Sequence, residues 1–251
     1  MPSALITGAS GGIGLELARV FAREGYRVVL VARNEKLLRD LAGELKTETV
    51  VIAKDLTKAG AAQEVFDQVR EVDVLVNNAG FGTSGKFAET PLDEQLGMMQ
   101  LNMTALVALT GLFLPGMLTA GSGRILNVAS TAAFQPGPLM AVYYATKAFV
   151  LSFTEAIHEE LLGSGVTVTA LCPGATETGF GDRANMHDAR LFKGKKLMDA
   201  RTVAEAGYRG LMAGKAIVIP GLMNRLMAQS VRVSPRAAVR KIARQLNDRV
   251  R

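Results

Sequence analysis

Along this chain, short apolar runs alternate with longer stretches in which apolar residues return every three or four positions. Runs of the first kind cover residues 3–6, 27–32, 49–53, 72–76, 124–128, 166–172 and 216–219. Apolar at consecutive positions, they predict strands buried on both faces of a parallel sheet. Stretches of the second kind predict helices. One runs through Leu15, Ala18, Val20 and Phe21 to a glycine C-cap at Gly25, and others lie near 35–45, 58–69, 92–118 and 142–162. Strand and helix in alternation imply an α/β architecture, a doubly wound parallel sheet with helices on both faces. Ligands of such sheets bind beyond the carboxyl ends of the strands. Residues 8–14, Arg33, Asp55, residues 78–80, Ser130 and Pro173 all follow predicted strand ends, so they are expected on one rim. No repeat or low-complexity linker interrupts the pattern, and a single domain is expected over 1–251.

Composition refines this picture at three points. The apolar stretch nearest to transmembrane length, 101–118, contains Asn102, Thr104, Thr110, Gly111 and Pro115, which favours a buried or interfacial helix. Met1-Pro2-Ser3 runs straight into the first strand, and the one cysteine, Cys172, sits in an apolar strand and has no intrachain partner. A cytoplasmic setting without a signal peptide is the expectation, with Cys172 as a small buried hydrophobe. The third point is charge. Of the whole-chain +6, residues 222–251 carry +7, from eight Arg or Lys against Asp248, which leaves −1 for residues 1–221. Val231, Val239, Ile242, Ala243 and Leu246 recur through this tail, and Pro235 divides it into two helical pieces. The expectation is a basic amphipathic segment packed on a partner subunit or its own core with arginines outward. Contact with an anionic membrane surface is the less favoured alternative. The tail has no Phe, Tyr or Trp to stack on bases, so nucleic acid is not expected.

Two constellations carry chemistry. The first strand leads into Thr7-Gly8-Ala9-Ser10-Gly11-Gly12-Ile13-Gly14 and then a helix. Backbone N–H groups at a helix N-terminus, with no Cβ to hold an anion away, make a phosphate cradle. Its spacing differs from the G-x-G-x-x-G fingerprint. The second is Tyr143 with Lys147, an i, i+4 pair on one helix face with Cβ atoms roughly 5–6 Å apart. An ammonium about 4 Å from a phenol, at an effective dielectric of about 20, supplies roughly 4 kcal/mol. That is about what moves a phenol from its usual pKa near 10 toward neutrality.

Taken together with Asp55-Leu56, Asn77-Asn78-Ala79-Gly80, Asn102, Ser130, Pro173-Gly174, Thr176 and Thr178, these motifs resemble the short-chain dehydrogenase/reductase family. They stretch from residue 7 to residue 178 in the family's order, at close to its spacing. The resemblance implies a Rossmann-like, single-domain oxidoreductase that transfers hydride between a nicotinamide cofactor and a ketone or secondary alcohol. Tyr143 is then the general acid, Ser130 holds the substrate oxygen, and Lys147 lowers the phenol's pKa and holds the nicotinamide ribose. Asn102 anchors a water that relays protons to Lys147. The cofactor contacts it implies are Gly8, Ser10, Gly12, Ile13 and Gly14 for the diphosphate, with Asp55 and Leu56 at the adenine. Asn78, Ala79 and Gly80 lie under the ribose, and Pro173, Gly174, Thr176 and Thr178 by the nicotinamide. At the end of the second strand, where an NAD site places a carboxylate, this chain has Arg33, which can pair with a 2′-phosphate. NADP(H) is therefore expected over NAD.

Residues 175–201, with Met186, Leu191 and Phe192, are expected to form a mobile lid. His158, expected to face solvent, and His187 stand outside any metal-ligand pattern, so no metal site is expected. A homodimer or homotetramer is expected on helices 92–118 and 142–162, through Leu106, Leu109, Leu112, Phe113, Phe149 and Phe153. A non-catalytic dinucleotide-binding sensor or scaffold is the alternative, against which the complete set of Asn102, Ser130, Tyr143 and Lys147 argues. Which carbonyl reacts, and in which direction, is left open.

Overall fold

A computed structural model describes residues 1–184, 186, 189–191 and 197–248. Strands β1 (Ser3–Thr7), β2 (Arg27–Ala32), β3 (Thr49–Ala53), β4 (Val74–Asn77), β5 (Gly123–Val128) and β6 (Val166–Leu171) alternate with helices. Those helices are α1 (Gly12–Arg23), α2 (Glu35–Glu44), α3 (Ala61–Val69), α4 (Leu92–Met99), α5 (Leu106–Ala120) and α6 (Ala141–Glu160). Beyond β6 come β7 (Thr176–Glu177), α7 (Phe180–Arg183), β8 (Met198–Asp199), α8 (Ala200–Met212), β9 (Ile217–Val218), α9 (Leu222–Val233) and α10 (Arg236–Asn247). The main sheet has seven parallel strands in the order β3-β2-β1-β4-β5-β6-β9. The order reverses between β1 and β4, and the carboxyl ends of those strands frame the cleft.

Period-two geometry explains the consecutive apolar residues. In β1, Ala4 and Ile6 pack on the face covered by α1 and α8, through Leu17, Phe21, Val203 and Leu211. Leu5 between them packs on the opposite face with α3 and α5, through Val65, Leu109 and Phe113. Both faces must be apolar because both are covered.

Three expectations change. The helix foreseen over 92–118 is interrupted by a π-type turn, Gln100–Ala105, which separates α4 from α5 and carries Asn102. Leu92–Ala120 together has 29 residues, a mean hydropathy of 1.7 and a third of its best window buried, long and apolar enough by length and composition to span a bilayer. Within it, however, Asn102 is hydrogen-bonded inside the protein and Thr110 accepts from Asn77, as a core helix requires. Of the residues assigned to subunit contact, Leu106, Leu109 and Phe113 are buried in the chain's own core instead. Phe149 remains 38% exposed and stacks on Phe153 with centroids 5.9 Å apart, so α6 keeps part of that surface outward. His158 does not face solvent freely: its Nδ1 lies 2.8 Å from the Val168 carbonyl oxygen and the ring is half-buried. His187, Phe192 and the basic residues 249 and 251 lie outside the described residues.

Candidate active site and dinucleotide cavity

The glycine turn is constrained where it meets β4. Gly8 has φ +68, and its N–H donates to Val31 O at 2.7 Å. A Cβ on Gly14 would lie 2.3 Å from Gly8 O and 2.4 Å from Asn78 Nδ2, so the turn is closed against the Asn78 loop with no room for a side chain. Thr7 fastens the two: its Oγ accepts from the N–H groups of Asn78 and Ala79 at 2.9 and 3.0 Å. The first N–H groups of α2 and α8 are capped by side chains, Asn34 accepting from Leu37 N and Asp199 from Thr202 N. At α1 the cap residue is Gly11 and no side chain accepts there, so its N-terminus is left open to an anion.

From this turn a cavity of about 1130 Å³ runs along the carboxyl ends of the strands. Every residue expected to touch the cofactor lines it except Gly14, which stands behind Gly8; Ser130 lines it too. The residues therefore fit a nicotinamide dinucleotide: a glycine-walled, uncapped helix start at one end and a buried polar cluster at the other. Arg33 is exposed on the cavity wall, and Glu35 is engaged elsewhere, with Arg39 at 2.6 Å. At Asp55 burial favours the neutral acid, but hydrogen bonds from the Thr57 N–H and hydroxyl and the charges of Arg33 and Lys58 outweigh it. The carboxyl is held below its usual value.

At the other end, α6 presents Tyr143 and Lys147, 8% and 6% exposed. The Ser130 hydroxyl, which donates to Pro173 O at 3.4 Å and accepts from Ala132 N at 3.1 Å, lines the cavity with Tyr143, and Lys147 Nζ donates to Val128 O at 2.7 Å. Electrostatics here differ from the expectation. Burial pushes the phenol's pKa above its ordinary value, the nearby Ser130 hydroxyl pulls it partly back, and Tyr144 adds to the rise. Lys147 Nζ stands 5.9 Å from the Tyr143 ring centre, and burial brings its own pKa down to about 8. Desolvation at this depth acts on both groups and dominates the pair's attraction. Cys172 is fully buried, its thiol pushed up to about 12 by burial although the Lys147 charge lowers it.

Asn102 is fully occupied: Oδ1 accepts from Phe81 N at 3.0 Å, and Nδ2 donates to Phe81 O and Thr146 Oγ1 at 2.9 and 3.0 Å. It clamps the π-type turn to the Gly80–Phe81 loop and to α6. A Cβ at Gly80 would sit 3.0 Å from Asn102 Oδ1 and 3.5 Å from Lys147 Nζ, so glycine is what lets the loop close on the lysine. Below, Asn77 donates to Asn127 Oδ1 at 2.9 Å and Asn127 to Thr154 Oγ1 at 3.0 Å, a buried polar ladder tying β4, β5 and α6. Asn127 and Thr154 were invisible to motif reasoning, because nothing local in the sequence distinguishes them from surface polar residues.

Beyond β6, Thr176 donates to Gly174 O at 2.9 Å and Phe180 N to Thr178 Oγ1 at 3.2 Å. The start and end of the expected lid are pinned by the parallel pairing of β7 with β8. Phe180 lies 5.1 Å from the Tyr143 ring, and Arg183 stands over Phe81 at 4.4 Å. Neither was singled out in the sequence, and both line the cavity.

Of the two placements expected for the tail, the structure shows packing on the chain's own body. The tail folds over the chain's own cavity, which Met227, Val231, Val239, Ile242 and Leu246 line. Asn247 accepts from the Tyr144 hydroxyl at 3.0 Å and donates to Pro138 O, while Leu191 N donates to Leu246 O. At the near end a Cβ on Gly174 would meet Asn224 Oδ1 at 2.6 Å. Tyr144, next to Tyr143 on α6, is thus the anchor of the tail.

A family model described as short chain dehydrogenase matches residues 2–189. A putative ketoacyl reductase of Streptomyces coelicolor is 39% identical over 199 residues, 76% of each chain. Among solved structures, a short-chain dehydrogenase from Sphingobium yanoikuyae in complex with NADPH is 34% identical with a TM-score of 0.84, covering 92% of both chains. A bulky-bulky ketone specific alcohol dehydrogenase from Comamonas testosteroni is 33% identical with a TM-score of 0.77, covering 95% of this chain and 96% of that one.

Proposed function

This chain belongs to the short-chain dehydrogenase/reductase family, and on that premise we propose that it is an NADPH-dependent reductase of an apolar ketone, with Tyr143 as the general acid. The observation that carries the reading is the convergence of Ser130, Tyr143 and Lys147 on the far end of the cavity that begins at the glycine turn. When bound, the nicotinamide supplies the hydride. Tyr143 gives its proton to the carbonyl oxygen as that oxygen becomes an alkoxide, and Ser130 holds the same oxygen. A phenol that burial keeps protonated is in the state an acid needs for carbonyl reduction. Lys147 binds the nicotinamide ribose and stands beside the phenol to restore its proton. Asn102 keeps loop, kink and α6 in register for that transfer, and the water relay passes through this region. Arg33 selects NADPH, a reading its exposed place on the adenosine side of the cavity supports.

Apolar side chains from α7, α9 and α10 on the substrate side favour a bulky ketone, in keeping with the similarity to the bulky-bulky ketone specific alcohol dehydrogenase of Comamonas testosteroni. Residues 175–201 act as its lid. A dimer or tetramer forms through the outward part of α6, where Phe149 and Phe153 stack. The test is NADPH oxidation against a panel of bulky ketones with wild type and Tyr143→Phe. Loss of the acid should cost about 10² to 10⁴ in turnover and leave NADPH affinity within a few-fold. Turnover above about a tenth of wild type removes Tyr143 from the role.

A further inference from the structure

α9 turns Asn224, Ala228 and Val231 toward the body of the protein, and Arg225 Nε donates to Ile219 O at 2.9 Å. Leu222, Met223, Leu226, Met227 and Val233 are 71%, 67%, 56%, 49% and 87% exposed. At 3.6 residues per turn these five fall within about 140° of arc, a mostly apolar face that includes Ser230 and reaches the cavity at Met227, rather than scattered positions. On the wheel Arg225 and Arg232 lie beside that face, and α10 adds an exposed stripe at Arg236, Arg240 and Arg244, spaced i, i+4, i+8. Met227 and Ile242, both exposed, also line the cavity, so its mouth opens on this same side between the two helices.

We propose that the α9–α10 hairpin docks on an anionic lipid surface, with α9's apolar face in the headgroup–acyl boundary and the arginines on the headgroups. Charge selects this occupant. A second copy meeting this face about a two-fold axis would set the same patch against itself. With +7 in residues 222–251 against −1 in the rest, that contact opposes like charges, whereas an anionic bilayer satisfies them. An acidic soluble protein would meet the arginines, but five large outward apolar side chains match an interfacial helix better. The cavity mouth would then face the bilayer, and an apolar ketone dissolved there would enter between Met227 and Ile242 without crossing water.

The experiment is co-sedimentation of the full chain with vesicles of phosphatidylcholine alone and of phosphatidylcholine with an equal part of phosphatidylglycerol, at low and high salt. Pelleting is expected with the anionic vesicles only, and salt should weaken it. Leu226→Gln and Val233→Gln each remove an apolar contact and should weaken binding by roughly tenfold. Arg240→Gln and Arg244→Gln should each weaken it by roughly fivefold. None of these four residues lines the cavity, so NADPH oxidation with a water-soluble ketone should hold, and its retention shows that the variants are folded. Absence of pelleting with anionic vesicles at low salt overturns the proposal, as does pelleting that the four variants leave unchanged. An oligomer that light scattering shows to dissociate in Leu226→Gln or Val233→Gln assigns the face to a second copy and overturns it as well.

Discussion

The two ends of the cavity are built in opposite ways. The dinucleotide end comes from short local units: a strand, a glycine turn and an uncapped helix within the first twenty-three residues, fastened by Thr7 to the Asn78 loop. The substrate end is assembled from α6, α7 and the last two helices, held by bonds such as Tyr144 to Asn247, 103 residues apart. Backbone close approach makes the first end intolerant of any added atom. Side-chain contacts and one or two hydrogen bonds hold the second, which leaves it adjustable. The same fold can thus keep its cofactor while its substrate wall varies.

Gly14→Ala should break the comparison most forcibly. The new Cβ falls 2.3 Å from Gly8 O, so backbone must move. Stability should drop by about 3 kcal/mol, the upper range for overpacking, and titration should show NADPH and NADH binding weakened together. A variant with native melting temperature and cofactor affinity would mean that the turn is as adjustable as the tail.

Arg33→Ala tests the same end more gently. NADPH binding should weaken by roughly 1.5–3 kcal/mol, the scale of a charged hydrogen bond, with NADH nearly unchanged. Fluorescence titration of both cofactors reads this directly, and equal losses would show that Arg33 does not meet the 2′-phosphate.

Asn247→Ala sharpens the contrast from the other end. It removes the acceptor of the Tyr144 hydroxyl and the donor to Pro138 O. Weakened tail docking, by about 1–3 kcal/mol, should raise the ketone KM several-fold while NADPH affinity stays put. If NADPH affinity falls in parallel, the two ends are coupled more tightly than their construction implies.

The smallest effect is in pH. Burial lowers Lys147 to about 8, so the unfolded chain binds a proton that the native one lacks between about pH 8 and the free-lysine value, and stability rises with pH there. Cys172, raised to about 12, retains a proton that the unfolded chain loses above the free-thiol value, so stability falls over much of the same window. Wild type should therefore show a nearly flat denaturation midpoint across pH 8–10. Cys172→Ala should expose the lysine's rise, and a midpoint that falls in both proteins would contradict the assigned burial of Lys147.

The strand and helix pattern was legible because each sheet face is covered. That puts apolar residues at consecutive strand positions, and it places every strand-end motif on one rim. The glycine turn, Asn78, Ser130, Tyr143 and Lys147 were legible because a close approach or a helical spacing needs particular residue types a few positions apart. The kink at Asn102 was hidden, since a π-type turn needs only one extra residue in an otherwise regular helix. The Asn77–Asn127–Thr154 ladder and the Tyr144–Asn247 anchor were hidden for a related reason: each joins ordinary polar residues that only the packed sheet brings within 3 Å or so. The expectation that Lys147 pulls the phenol's pKa down took the charge from the sequence but had no measure of burial, which governs both groups. For the tail, the sequence determined two basic amphipathic helices and a break at Pro235. Which face of each would be covered depended on where the chain's own cavity lay, and that only the tertiary structure decided. One side of α9 and α10 closes that cavity. The apolar residues left over on α9 have no core to enter.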